Sequence, residues 1–170
     1  MFQSGDYVYY ASGGVCQVSD IQTAPLTGMS PDKQYYVLRS LHDPNGVMYV
    51  PVNSETVFLR RLLTREEAQN LLREIPEVSA IAEPNAKALR VKYMESMKKH
   101  DPTEWVRVIK TVRQRCQALA AVSRTQRISD TERSFAEDAK RYLYDELSLA
   151  LEIPVEQMDH YILSQMEQLA

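Results

Sequence analysis

The sequence has few of the residues that build metal centres and disulfide frameworks. Its 170 residues include only two cysteines and three histidines. Cys16 and Cys116 lie far apart and form no CxxC pair, and the histidines lack the close spacing of metal ligands. This scarcity excludes the usual zinc motifs and argues against a small secreted domain held by disulfides. We therefore expect a protein of the reducing cytoplasm that needs no cofactor.

Long apolar runs are also missing, although the hydrophobic content of 44% is normal for a globular protein. No stretch approaches the roughly 18 uncharged apolar residues of a membrane span. Residues 1–6 lack the basic and apolar regions of a secretory signal. Phosphate-binding loops and nucleophile motifs are missing as well. The sequence thus predicts neither membrane contact nor a small-molecule substrate, and it gives no sign of an enzyme.

Charge is present but unevenly distributed along the chain. Residues 85–128 contain 11 basic and 3 acidic residues, a net charge of +8, whereas residues 129–170 have a net charge of −7. Such asymmetry is typical of a protein with a polyanionic partner. It is equally typical of neighbouring helices that neutralise each other. Both interpretations remain open at this stage.

The first 60 residues have the pattern of short β-strands. Period-2 alternation, β-branched residues and aromatics mark five short runs, at 7–10, 15–21, 35–41, 47–50 and 57–60. Asn45-Gly46 is a strong hairpin signal between the third and fourth runs. We predict a small antiparallel β-barrel of the SH3 or Tudor kind over residues 1–63, with edge strands that can pair with a partner.

The pattern becomes helical at Thr64. Thr64 with Glu67, and later Ser129 with Glu132, have the spacing of capping boxes. Apolar stripes at helical spacing follow, among them Trp105, Ile109, Val112, Cys116 and Leu119 on one helix, and Met158, Ile162, Met166 and Leu169 on the last. We predict a helix and linker over 64–83 and an all-α bundle over 84–170. The fold class is therefore α+β with two domains.

An ordered set of motifs points to a known family. It comprises Phe2, Gly5-Asp6, Val8-Tyr9, Gly13-Gly14-Val15, Gly28, Tyr35-Tyr36-Val37-Leu38, Val50-Pro51-Val52 and Leu59-Arg60. This set resembles the CarD family of bacterial transcription regulators, whose N-terminal barrel is shared with transcription-repair coupling factor. The order of barrel and helical domain extends the resemblance over the whole chain.

The resemblance implies a specific function without covalent chemistry. The barrel would bind the first lobe of the RNA polymerase β subunit, with sheet edges meeting in β-augmentation. The helical domain would contact promoter DNA at the upstream edge of the opened bubble and stabilise the open complex. In the family, a tryptophan near the start of the long basic helix wedges into the minor groove, where extra contacts must offset the cost of unstacking.

The predicted polymerase-binding residues lie on one strand and one loop. They are Ala24, Leu26, Met48, Tyr49 and Val50. The family often has arginines where this sequence has Ala24, Leu26 and Tyr49, so we expect a more apolar docking edge. Side chains alternate along a strand, and Tyr49 therefore points outward if Met48 and Val50 point inward.

The predicted DNA-binding residues lie at the two ends of the first basic helix. They are Asn85, Ala86, Lys87, Arg90, Lys98 and Lys99. The wedge position of the family falls at 85–87, where no aromatic residue stands. Trp105 begins an apolar stripe, so we expect it in a core. Phosphate contacts need only positioned cations, among which Lys92, Lys110, Arg113, Arg124 and Arg127 are further candidates.

Two functional hypotheses follow, and two others are disfavoured. The first is a polymerase-binding regulator that also contacts promoter DNA, which the basic block favours. The second is a protein-only polymerase adaptor whose basic helix is neutralised by the acidic C-terminal helices, which the missing wedge favours. An enzyme lacks motif support, and a stand-alone repressor lacks a recognisable helix-turn-helix.

Overall fold

The computed structural model describes residues 1–169 of the chain. It divides the chain into two compact units, Met1–Leu62 and Leu63–Ala170. Ala170 itself lies outside the described residues, as do the side chains of Met166 and Leu169 from the last predicted stripe. The assignment of functions to residues 1–63, 64–83 and 84–170 stays a prediction.

The N-terminal unit is an antiparallel five-stranded sheet. Its strands are β1 (Tyr7–Tyr10), β2 (Gly14–Thr23), β3 (Gln34–Ser40), β4 (Met48–Pro51) and β5 (Leu59–Arg61). The strand order is β4-β3-β2-β1-β5. The predicted barrel is not confirmed, because closure requires the two edge strands to pair with each other. In the described part of the chain, β4 pairs with β3 and β5 pairs with β1, and the sheet stays open.

One face of this sheet carries the core of the unit. Its buried members are Val8, Cys16, Val18, Tyr36, Leu38 and Val50. They recur with period 2 along the strands, so their side chains share one face, and Tyr9, Val15 and Val37 on the other face are buried as well. The connection between β3 and β4 spans 41–47, so Asn45-Gly46 does not form a two-residue hairpin. Instead, Gly46 donates its N–H to both the carbonyl and the carboxylate of Asp43, which closes a wider turn.

The C-terminal unit is helical, so the α+β class with a β unit first is confirmed. Its helices are α1 (Arg65–Glu74), α2 (Ala86–Lys98), α3 (Pro102–Val122), α4 (Asp130–Leu151) and α5 (Met158–Leu169), with short 3-10 turns at Ile75–Glu77 and Val155–Gln157. None of the described helices is long and apolar enough to cross a membrane.

The two predicted capping boxes have different outcomes. At the start of α1, Thr64 accepts the N–H of Glu67, and the Glu67 carboxylate reaches back to the Thr64 N–H. At the start of α4, Ser129 accepts the N–H of Glu132 at 3.2 Å. The Glu132 carboxylate, however, bonds to side chains of other helices. The second box is therefore only half formed.

The stripe on α3 is buried only in its first half. Trp105 is fully buried, and its ring lies 5.6 Å from that of Tyr142 on α4. This confirms the prediction that Trp105 is a core residue. Cys116 is exposed, and residues 113–122 are mostly exposed as well, which corrects the predicted extent of the stripe. A periodic stripe predicts burial only where another element covers it, and the end of α3 extends past that cover.

Candidate functional site

The β4 edge of the sheet presents main-chain groups to a possible partner. Val52 donates its N–H to the carbonyl of Gln34 at 3.0 Å. Hydrogen-bonded and non-bonded pairs alternate along an antiparallel ladder. The next bonded pair is therefore Val50 with Tyr36, and the main-chain N–H and C=O of Tyr49 point away from β3. This edge can accept one more strand.

The β5 edge is partly occupied by the chain itself. Ala11 donates its N–H to the carbonyl of Phe58 at 3.1 Å, and the same alternation turns the main chains of Leu59 and Arg61 outward. The guanidinium of Arg60 donates to this Arg61 carbonyl at 3.1 Å. Charged side chains on an edge strand also discourage strand addition. The two arginines thus make β5 the less suitable edge for strand addition.

The side chains of β4 follow the predicted alternation. Val50 is buried in the core, and Met48 packs against the same cluster. Tyr49 lies opposite Val37 and is half-buried. Met48 and Val50 therefore offer a partner mainly their main chain, whereas Tyr49 can offer its side chain. The role of all three in polymerase binding stays a prediction.

Ala24 and Leu26 lie in the loop between β2 and β3. Ala24 has a φ of +43°, in the left-handed region, and donates its N–H to the carbonyl of Lys33 at 3.2 Å. Leu26 is 50% exposed. The loop begins after Thr23, which pairs with Gln34, and Gln34 lies opposite Val52 at the end of β4. The loop and the end of β4 thus share one end of the sheet.

The predicted DNA-binding residues occupy both ends of α2. Asn85 caps the helix by accepting the N–H of Ala88 at 3.0 Å, so its amide oxygen already has a structural role. Lys87 and Arg90 are exposed in the first turns, and Lys98 is exposed in the last. Eleven residues separate Lys87 from Lys98, a rise of about 16 Å along the helix axis. One helix therefore carries two cationic sites.

Several other basic residues are engaged within the protein. Lys92 pairs with Glu83 at 3.1 Å, and Lys99 pairs with Glu104 at 3.6 Å. Lys110, near the middle of α3, donates to carbonyls in and just after the 3-10 turn that follows α1, namely those of Ile75, Pro76 and Val78. Among residues 1–165, whose side chains the structure describes, no ion pair involves Lys87, Arg90 or Lys98. These three remain available to an anionic partner.

A cleft of about 300 Å³ between α2, α3 and α4 was missed from the sequence. At its floor, the Tyr93 hydroxyl donates to the Glu132 carboxylate at 2.7 Å, and Arg115 donates to the same group. Burial, together with the bond to Glu132, raises the pKa of Tyr93, so this hydroxyl remains a donor at neutral pH. In the sequence, the capping-box spacing accounts for Glu132, so nothing there pointed to its contacts with Tyr93 and Arg115.

The residues that the structure describes contain no cluster of three histidine, cysteine or carboxylate side chains able to hold a metal ion. Cys16 is buried among apolar residues, and burial raises the pKa of its thiol to about 11. This thiol is therefore a packing group at neutral pH.

A comparison with known families identifies the first unit. Residues 2–63 match the model of the CarD-like/TRCF RID domain, and the helical unit lies outside this match apart from its first residue. No curated protein matches the chain. The matched family is a protein-interaction domain of transcription factors and not a family of enzymes. Residues 2–63 therefore match the RNA polymerase-interacting domain of the CarD-like/TRCF family.

Proposed function

We propose that this chain is a transcription regulator that docks its first unit on the β subunit of RNA polymerase. The observation that supports this proposal best is the open β4 edge, where the main chain of Tyr49 points away from β3. It belongs to a domain whose family interacts with RNA polymerase. A strand of the first β lobe would add to this edge by β-augmentation.

The surroundings of the edge favour an apolar partner strand. Val47, directly before β4, is 37% exposed, and Leu26, in the loop near the other end of β4, is 50% exposed. In strand addition, main-chain hydrogen bonds provide affinity and side-chain contacts provide specificity. Tyr49 and Leu26 would supply the specificity in this chain.

The test is binding of the isolated first β lobe by the full chain, measured by calorimetric titration. We expect the unaltered chain to bind and Tyr49→Glu to weaken binding about tenfold or more, since docking would desolvate the new carboxylate. Ser12→Glu makes the same charge change in the exposed turn between β1 and β2 and should bind normally. Equal binding by both variants, or no binding by the unaltered chain, would contradict the proposal.

We further propose that α2 contacts the phosphate backbone of promoter DNA and helps to stabilise the open complex. The supporting observation is that Lys87, Arg90 and Lys98 are exposed and take part in no ion pair among the described residues. The pairs formed by Lys92 and Lys99 favour the alternative, a protein-only adaptor. The minor-groove wedge has no counterpart, because Trp105 is buried.

Salt dependence separates the two alternatives. If Lys87, Arg90 and Lys98 each neutralise one phosphate, the logarithm of duplex affinity should fall with log salt with a slope of about −3. Lys98→Gln should reduce the slope by about 1, whereas Lys33→Gln in the first unit should leave it unchanged. Fluorescence anisotropy with a labelled duplex measures both. If the chain shows no measurable affinity for the duplex at low salt, the protein-only adaptor is the correct alternative.

A further inference from the structure

The cleft between α2, α3 and α4 has the shape of a ligand site. Its volume of about 300 Å³ lies at the small end of the range for such sites. It opens between the first turns of α2 and α4, with the middle of α3 behind it. The lining side chains that bear on its chemistry are Lys87, Arg90, Tyr93, Arg115, Glu132 and Phe135.

The charge of the cleft favours an anion. Three cations face one carboxylate, that of Glu132, which already accepts hydrogen bonds from Arg115 and from the Tyr93 hydroxyl. Lys87 and Arg90 stand exposed at the rim and have no carboxylate partner in the described part of the chain. The site therefore has an excess of positive charge that the protein does not neutralise.

Arg115 is held in place before any ligand arrives. A second guanidinium nitrogen, Nη2, lies 3.4 Å from the other carboxylate oxygen of Glu132. The Arg115 side chain is nevertheless 37% exposed, so part of the guanidinium remains open to the cleft. A cation fixed in this way loses little conformational freedom when an anion binds.

The cleft also offers a flat apolar surface. The rings of Tyr93 and Phe135 lie 5.4 Å apart with a tilt of 32°. Tyr93 is only 1% exposed, whereas Phe135 is half-buried and turns part of its ring to the cleft. An aromatic face beside cations is the pairing that binds a base and its phosphate together.

The first turn of helix α2 differs in charge from the first turns of α1, α3 and α4. The first turns of α1, α3 and α4 contain acidic residues, which suit the positive end of a helix dipole. The first turn of α2 contains none and instead has Lys87, while the Glu83 carboxylate, before the helix, accepts the N–H of the N-cap residue Asn85 at 3.1 Å. A phosphate at this rim would meet both Lys87 and the positive end of α2.

We propose that this cleft binds a single nucleotide unit, with its phosphate on Lys87 and Arg90 and its base against Phe135. The volume suits one unit and not an extended strand. The nucleotide would come from an unpaired DNA strand or from the free pool, since both present the same chemistry. The site shares Lys87 and Arg90 with the proposed duplex contact, but it does not depend on polymerase docking.

The first test uses the full chain with three probes, namely a fluorescein-labelled hexathymidylate, thymidine monophosphate and a labelled duplex. Phe135→Leu keeps an apolar side chain but removes the ring. It should weaken hexathymidylate binding about tenfold and leave duplex affinity unchanged. If Phe135→Leu leaves hexathymidylate and monophosphate binding intact, or weakens duplex binding equally, the proposal is overturned.

A second variant guards against effects on folding. Thr131 is exposed in the first turn of α4 and lines the cleft, so Thr131→Glu suits the helix dipole but repels a phosphate. We expect Thr131→Glu to weaken the binding of hexathymidylate and of thymidine monophosphate at least fivefold. Gln117→Glu makes the same charge change on the exposed part of α3 outside the cleft and should have no effect. Equal binding by the two variants would overturn the proposal.

The three probes also separate the sources of the nucleotide. Tight binding of thymidine monophosphate supports a free nucleotide, and binding of hexathymidylate alone supports an unpaired strand. Lobe binding is measured independently, so a failure of polymerase docking is distinguished from a failure of the cleft. If the chain binds the duplex but neither hexathymidylate nor thymidine monophosphate, the cleft proposal is overturned. The proposed duplex contact of α2 is then unaffected.

Discussion

Trp105→Ala should lower the free energy of unfolding by about 3–5 kcal/mol, which is among the largest costs of a single substitution. The side chain is fully buried on α3, and its ring packs against Tyr142 of α4. Alanine would leave a cavity that these helices can fill only in part. Urea denaturation of the full chain, followed by circular dichroism at 222 nm, measures the loss of helical structure.

Met94→Ala provides the comparison for this substitution. Met94 is 43% exposed on α2, so its truncation should change the free energy of unfolding by no more than about 0.5 kcal/mol. A tryptophan that served as a DNA wedge would behave in the opposite way, with stability preserved and duplex affinity lost. That result for Trp105→Ala would contradict its role as a core residue.

Tyr49→Pro should weaken binding of the β lobe about tenfold to a hundredfold, since it removes the outward N–H of β4 and leaves a partner carbonyl unsatisfied. The sheet itself should tolerate the change, because this N–H does not bond to β3 and edge strands accept proline. The same titration measures the effect, and thermal unfolding checks that the first unit stays folded.

Tyr49→Thr distinguishes the main chain from the side chain at the same position. Threonine keeps the N–H and favours strands, so its effect on lobe binding should be smaller than that of proline. Equal losses in the two variants would mean that the tyrosine ring, and not the open edge, carries the interaction. Binding unaffected by proline would exclude strand addition at β4.

Local patterns were enough to predict most elements of the fold. Period-2 runs located all five strands, and the Thr64 capping box located the start of α1. The predicted barrel is not confirmed, because closure depends on whether β4 and β5 meet, which is a non-local property of the sheet. The predicted stripe on α3 continued through Cys116 to Leu119 for a similar reason, because its period does not show where the covering helices end.

The candidate sites also differ in whether a local sequence pattern could predict them. The alternation of Met48, Tyr49 and Val50 is local, and the structure reproduces it. The cleft is not local, since Tyr93 and Glu132 lie 39 positions apart on different helices. Lys110, a candidate for DNA contact by its charge, instead binds carbonyls more than 30 positions away. Charge alone could not reveal that a lysine already had partners inside the protein.

The shortness of β4 sets a limit on what can be added to this sheet. Within the strand, only Tyr49 and Pro51 have main chains that point outward, and proline has no N–H to donate. An added strand would therefore find a single N–H donor within β4, that of Tyr49, and this donor would fix its register. Two copies of the chain that met at their β4 edges would gain only these few main-chain bonds, so stable addition of any strand also needs side-chain contacts. A very short edge strand with a proline limits the self-association that exposed edges usually invite, and it leaves the choice of partner to the surrounding side chains.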